Sequence, residues 1–242
     1  MLAIVGTVPY QDFPLVSGEV TMEGDMVCIM GNRAPVNRGT PALLAAAFMA
    51  GKVLDQGALY AYVVGDIGPG DGSRRLYRHL IHDLPKRDFR TIAFHYMLPY
   101  VKQHNEVLAA IGKMAHHPTL IADAGSMYVA KMGGKSLAYD LFTPDVGELA
   151  FLADETAPHP IYTRGFILHE DNRVTDLISR AYAHKNAARY LLVKGRQDYI
   201  ANEEKIFAII DSPMDGAMEA IGGTGDTLTG IVSTLIETGM GL

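Results

Sequence analysis

Short runs of consecutive apolar residues, many of them β-branched, alternate along this chain with longer stretches of helical period. The runs are Leu2–Val5, Met26–Met30, Leu59–Val64, Thr91–Phe94, Thr119–Asp123, Tyr190–Lys194 and the IFAII stretch around Phe207. Side chains alternate between the two faces of a strand, so a strand that is apolar at every position needs cover on both faces. Strands separated by helical segments read as crossovers, which build a mainly parallel sheet with right-handed connections. The expected class is α/β. With 242 residues and no repeat or composition break, one domain over residues 1–242 is expected.

Several helix ends are readable. Thr40 is expected to cap a helix beginning at Pro41 and closed by Gly51, with an interior, ALLAAAFMA, that is apolar all round and so buried. Ser73 is expected to cap a second helix, with Leu76, Leu80, Ile81 and Leu84 on one side. A third runs from about Tyr100 to Met114 and a fourth from about Asn172 to Ala188. Asp154–Gly165 reads as the longest surface loop.

Composition removes some classes of function. The net charge of −6 argues against broad binding to nucleic acid or to an anionic membrane, while leaving room for a local cationic pocket. The single cysteine, Cys28, lies in an apolar run and reads as a buried strand residue, so no disulfide framework is possible and a cytoplasmic location is expected. The N-terminal stretch has no basic segment of a signal peptide, and PALLAAAFMA is too short to span a bilayer. The histidine pairs His79/His82 and His116/His117 have no carboxylate or cysteine at ligand spacing and read as solvated or capping residues.

The chemistry concentrates near the C-terminus, in IGGTGDTLTG, Ile221–Gly230. Beyond it Leu228, Ile231, Val232, Leu235 and Ile236 keep helical spacing, and Gly239 supplies a stop. Gly222, Gly223, Thr224 and Gly225 thus open an amphipathic helix, where unpaired amides carry partial positive charge and glycines let backbone approach a ligand. That combination suits a phosphate. Asp226 reads in two ways: as an acid complementing the helix terminus, or as a carboxylate that accepts a proton from a substrate hydroxyl during phosphoryl transfer. Two other segments bear on the choice. Glu148, opening a helix after Thr143-Pro144, is either an N-terminal acid or a group orienting water around phosphate-bound Mg²⁺. Lys194-Gly195 follows a buried strand, where a lysine either meets a nucleotide or sits in solvent. His95, Asn32 and Arg33 stand just past strand ends, facing the usual ligand crevice of an open α/β sheet.

These segments together resemble the ribokinase-like superfamily, and within it ATP- or ADP-dependent NAD(P)H-hydrate dehydratase. TPDVGE is similar to that family's Thr-Pro-x-x-Gly-Glu, GGTGDTLTG to its glycine-rich aspartate motif, LLVKG to its strand ending in Lys-Gly, and LIADAGSMYVA to its aspartate-bearing strand and following helix. Gly31–Lys52 resembles its early glycine turn and Ala-rich helix. The family's Gly-Pro-Gly turn has no counterpart in TIAFHYMLP, although GPGDG occurs one strand earlier, at Gly68–Gly72. The resemblance implies a three-layer α/β/α fold around a mainly parallel sheet. It implies Asp226 as catalytic base, Gly223, Thr224 and Gly225 as anion hole and Glu148 near Mg²⁺; Asn32 and His95, from their place past strand ends, and Asp123 are expected toward the substrate. ATP or ADP would phosphorylate the hydroxyl of a hydrated nicotinamide, and phosphate would then leave.

Two alternatives stand beside this reading. One is a sugar or vitamin-alcohol kinase that stops after phosphorylation. The other is a nucleotide-binding sensor without catalysis, disfavoured because a pure binder gains nothing from a carboxylate beside its own phosphate. A small-molecule substrate is expected in the catalytic cases, and the apolar helices are compatible with a homo-oligomer.

Overall fold

The computed structural model describes residues 1–162 and 174–240. Two expectations therefore fall partly outside the described residues: the start of the fourth helix at Asn172 and the end of the long loop at 163–165. The chain begins with β1 (Leu2–Val8), β2 (Val16–Glu23), β3 (Met26–Ile29) and β4 (Asn32–Pro35), then α1 (Thr40–Val53), β5 (Tyr60–Gly65) and α2 (Asp71–Asp83). It continues with β6 (Thr91–Phe94), α3 (Val101–Ile111), β7 (Thr119–Ala122), α4 (Gly125–Met132), β8 (Leu141–Phe142) and α5 (Val146–Ala153). The last part holds α6 (Val174–Ala183), β9 (Tyr190–Val193), β10 (Asp198–Asn202), β11 (Ile206–Ile210) and α7 (Thr224–Glu237).

The strands form one sheet in the order β11-β10-β9-β8-β7-β6-β1-β5-β2-β3-β4. The six strands from β9 to β5 run parallel. Antiparallel strands flank them on both sides, β10 and β11 at one edge and β2, β3 and β4 at the other. The parallel arrangement is thus confined to the centre of a mixed sheet.

Every expected apolar run is a strand, and in the central parallel strands the side chains divide between two cores, whereas Phe207, Ile209 and Ile210 of β11 are exposed. In β1, Ala3 and Val5 join the core under α2 to α6, while Leu2 and Ile4 join the core under α1 and α7. In β5, Tyr60, Tyr62 and Val64 face the first and Ala61 and Val63 the second. Three layers result, and they explain why these strands show no polar face. Cys28 is buried in β3.

Both expected helix caps are corrected. Gly39, not Thr40, is the N-cap of α1, and the Thr40 side chain makes no capping bond. Gly70, not Ser73, is the N-cap of α2. In each case the hydroxyl has a stronger tertiary partner. Thr40 Oγ1 lies 3.0 Å from His95 Nδ1, and Ser73 Oγ donates to Asp66 Oδ2 at 2.8 Å. Nor is α1 buried along its length: Leu43, Leu44 and Ala47 are buried, but Met49 and Val53 are exposed near its end.

Helices α1 and α7 cross closely at Gly230. A Cβ there would stand 2.4 Å from the Leu43 carbonyl oxygen and 3.1 Å from Ala46 Cβ. Both obstacles belong to a packed helix, so Gly230→Ala is expected to push the helices apart and cost about 1–3 kcal/mol. Thermal melting reads this as a drop of about 2–4 °C per kcal/mol.

Candidate functional site

The N-termini of α1 and α7 meet at the carboxyl ends of β1, β6 and β7. Gly223, the N-cap of α7, has φ 99°, a left-handed conformation that disfavours other residues. A Cβ on it would lie 3.1 Å from both Arg38 Cα and the Asn37 carbonyl oxygen, so the two turns need a glycine to approach. Thr224 opens α7, its hydroxyl donating to the Ile221 carbonyl oxygen at 3.3 Å.

Asp226, in the first turn of α7, sits where the two helix ends converge. Its Oδ2 accepts the Gly39 amide of α1 at 2.7 Å, and its Oδ1 lies 2.9 Å from His95 Nε2. Burial on its own would raise this carboxyl, but the hydrogen bonds from His95 and the Gly39 amide and the nearby Lys194 ammonium together outweigh it. Asp226 is therefore held below the usual carboxylate range, as expected of an acid at helix N-termini.

Lys194, immediately after β9, is turned inward rather than into solvent. Its ammonium donates to both oxygens of Asp123, at 3.0 and 2.9 Å, and Thr229 Oγ1 donates to the same carboxylate at 2.6 Å. A Cβ on Gly225 would lie 3.4 Å from Lys194 Nζ, so the ammonium is packed directly against the glycine turn. Ala124, next to Asp123, has φ 49°, and its amide donates to Asp123 Oδ1 at 2.8 Å. A non-glycine residue in that region is strained and is held there by its surroundings.

Glu148 fulfils its capping role: Asp145 and Glu148 form a reciprocal capping box at the start of α5. Glu148 Oε1 also accepts the Tyr128 hydroxyl at 3.1 Å. Burial, then the nearby charges of Asp123 and Asp145, push its carboxyl up from 4.5 to about 8. Asp123, Glu148 and Asp226 thus face one ammonium, Lys194, an excess of negative oxygen that a hard cation would relieve, so the donor set fits Mg²⁺. The ligand atoms of His95, Asp123 and Asp226 also lie within 4.8 Å of one another. There, however, His95 is already hydrogen-bonded to Asp226, and Lys194 is paired with Asp123, so these contacts fill the space.

The raised Glu148 carboxyl has a thermodynamic consequence. The folded state binds this proton more tightly than the unfolded chain. The resulting stability is present below about pH 4.5 and lost as pH rises toward about 8. Glu148→Gln keeps an oxygen for the Asp145 amide and turns its NH₂ to the Tyr128 hydroxyl as acceptor, but cannot titrate. Its melting temperature is expected to fall less than that of the unmodified protein across this window, measured by calorimetry at stepped pH.

A cavity of about 640 Å³ opens beside Asp226, lined among others by Gly222, Gly223, Arg38, Asp66, Tyr96 and Tyr128. Its volume suits a small molecule. A second cavity of about 500 Å³ lies among Val146, Arg196, Gln197, Tyr199 and Met214, beyond Gly195. The Gly195 amide donates to Asp198 Oδ1 at 3.0 Å, closing the turn into β10.

Of the residues singled out in the sequence, His95, Asp123, Lys194, Gly225 and Asp226 are brought together. His95 is fully buried, with its ring engaged by Thr40 and Asp226. Asn32 is not in this group: it opens the edge strand β4, and its amide donates to the Met30 carbonyl oxygen at 3.2 Å. Arg33, its neighbour on β4, pairs with Glu23. Asp66, Gly39 and Thr40 belong to the site's geometry but were not read as such. Asp66 was findable, since it follows a strand directly and precedes the GPGDG turn. Its carboxylate accepts the amides of Gly68, Gly70 and Ser73, at 3.0, 3.0 and 2.8 Å.

A three-layer fold with a glycine-rich helix N-terminus at a crevice past the parallel strand ends defines a ribokinase-like protein. Solved structures agree on the fold. Phosphofructokinase-2 of Escherichia coli, in complex with fructose-6-phosphate, aligns with 100% of this chain and 88% of its own, at TM-score 0.54 and 12% identity. A hypothetical protein of Streptococcus mutans aligns with 98% of this chain and 73% of its own, at TM-score 0.54 and 18% identity. Residues 99–240 match the model of the Carb_kinase family, described as NAD(P)H-hydrate dehydratase, and the chain belongs to that family. Uncharacterized protein MJ1337 of Methanocaldococcus jannaschii is 46% identical over 184 residues, 76% of this chain and 74% of that one. Among the described residues, no helix is long and apolar enough to cross a membrane.

Proposed function

We propose that this protein is a nucleotide-dependent NAD(P)H-hydrate dehydratase of the carbohydrate kinase kind. The observation that carries the reading is Asp226. It is an ionised carboxylate at the mouth of a glycine-opened helix, bordering the larger cavity. In this reading the hydrated nicotinamide occupies that cavity, and ATP or ADP lies on the side of Lys194, toward the second cavity. Asp226 accepts the proton of the substrate hydroxyl as its oxygen attacks the terminal phosphorus. The amides of Gly223, Thr224 and Gly225, with the Lys194 ammonium, hold the charge that develops on the transferred group. Glu148 and Asp145 would hold Mg²⁺, which when bound neutralises phosphate charge. The C–O bond of the phosphate ester then breaks, phosphate leaves with the bonding electrons, and loss of a proton from the adjacent ring carbon to water restores the ring's double bond.

The test is incubation with ATP or ADP, Mg²⁺ and hydrated NADH, following the return of NADH absorbance. Recovery stoichiometric with nucleotide consumed is expected. Nucleotide consumption with a stable phosphorylated product from an alcohol panel would instead mark a kinase. Binding without turnover would leave a sensor.

A further inference from the structure

We propose that Thr40 and His95 form a positioning relay for Asp226, in which the Thr40 hydroxyl donates to His95 Nδ1 and the ring proton, thereby fixed on Nε2, is donated to the carboxylate. The inference rests on the reading of Asp226 as the base.

The geometry is a continuous line through three elements. Thr40, in the first turn of α1, reaches across to His95 at the end of β6 at 3.0 Å, and His95 reaches Asp226 in α7 at 2.9 Å. Thr40 and His95 are both fully buried, so neither ring nitrogen exchanges its partner for water. Atom chemistry then assigns the protons. A carboxylate only accepts, so Nε2 facing Asp226 Oδ1 is the donor. A neutral ring with its proton on Nε2 has an acceptor at Nδ1, which the Thr40 hydroxyl supplies with a hydrogen. Each oxygen of Asp226 now holds one protein donor, His95 on Oδ1 and Gly39 on Oδ2, with a second lone pair remaining on each. The carboxylate is thereby fixed in place without losing its capacity to take a proton.

The fold reserves space for this arrangement. Gly6 of β1 lies against Thr40: a Cβ there would stand 2.5 Å from Thr40 Oγ1 and 2.9 Å from its Cγ2. Ser126 Oγ donates to the His95 carbonyl oxygen at 2.6 Å, anchoring the backbone that carries the ring. The Tyr96 ring lies 4.2 Å from the His95 ring, centre to centre, and covers its edge. Thr40 and His95 do not line the substrate cavity, and their output is the orientation and ionisation of Asp226.

The primary test needs no substrate. In protein labelled with ¹⁵N-histidine, the His95 ring shifts should report a neutral ring with the proton on Nε2, and Thr40→Val should change them while Thr40→Ser should not. A proton on Nδ1, or a doubly protonated ring, would overturn the relay. The second test uses hydrated NADH with ATP or ADP and Mg²⁺. Thr40→Val should lower kcat about 10-fold, within the range of outer partners of a reactive group. Nucleotide Kd should stay within about twofold, and Thr40→Ser should recover most of the rate. A merely structural Thr40 would move the melting temperature and not kcat against KM. If Asp226→Asn turns over normally, the base reading fails, while the ring shifts still decide the relay. If Asp226→Asn is inactive and Thr40→Val is as fast as the unmodified protein, the relay alone fails.

Discussion

Asp226→Asn is expected to lower turnover by about 10²–10⁴-fold, the range over which a positioned general base acts, while nucleotide binding is unchanged or tighter. The second half of this expectation separates chemistry from structure. Asp226 stands at the turn proposed to hold phosphate, and removing a like charge from an anion site does not weaken it. Asparagine keeps an oxygen for His95 Nε2, at the place where Oδ1 now lies 2.9 Å away. Its amide would face the Gly39 N–H that Oδ2 now accepts at 2.7 Å, so two donors would oppose each other. That mismatch costs about 1–3 kcal/mol of stability, and Asp226→Ala, which presents no second donor, serves as the control. The acid side follows from the same contacts. The folded-state carboxyl lies below its ordinary range, so the stability it contributes is present above that range and lost as pH falls through the depressed value. Rapid-quench turnover and nucleotide calorimetry on both variants measure the two halves. A rate within tenfold of the unmodified protein would remove Asp226 as the base and with it the proposed chemistry.

What the sequence disclosed and what it hid follow from the range of the forces involved. The central strands were legible because burial on both faces leaves continuous apolar runs, as in Ile4 and Val5, which point to different cores. The flanking strands β2, β4 and β10 were not. Val16–Glu23 carries Gly18, Glu19 and Glu23, and Asn32–Pro35 is a four-residue edge, so neither has an apolar run to detect. The two caps were misplaced because Thr40 and Ser73 fit a local rule that His95 and Asp66 override. The glycine turn and Asp226 were visible because helix periodicity and turn chemistry are local. Their partners are not: His95 is 131 residues from Asp226, and Lys194 is 71 from Asp123. No spacing rule encodes those pairs. They arise only when a parallel sheet brings several strand ends to one crevice.

Lys194→Met carries the largest expected loss of stability. Asp123 is buried, and its carboxylate is neutralised by the Lys194 ammonium through two hydrogen bonds. The Thr229 hydroxyl and the Ala124 amide also donate to it, but neither carries charge. Methionine fills the lysine stem's volume and leaves the carboxylate uncompensated, a change that costs about 3–5 kcal/mol when one partner of a buried pair is removed. For a chain of this size that corresponds to a melting-temperature drop of roughly 10 °C. Adding Asp123→Asn removes the orphaned charge and is expected to restore most of the loss, because the amide oxygen still accepts from Ala124. The Thr229 hydroxyl can meanwhile turn to accept from the amide nitrogen. The coupling between the two substitutions then reads the pair directly. Turnover separates the remaining possibility. If the ammonium also holds charge on a transferring phosphoryl group, the double variant regains its fold but stays slower by about 10²-fold, the effect of losing one such donor. A double variant that recovers both melting temperature and rate would make Lys194 a strut beneath the glycine turn and leave the turn's amides as the whole of the anion site.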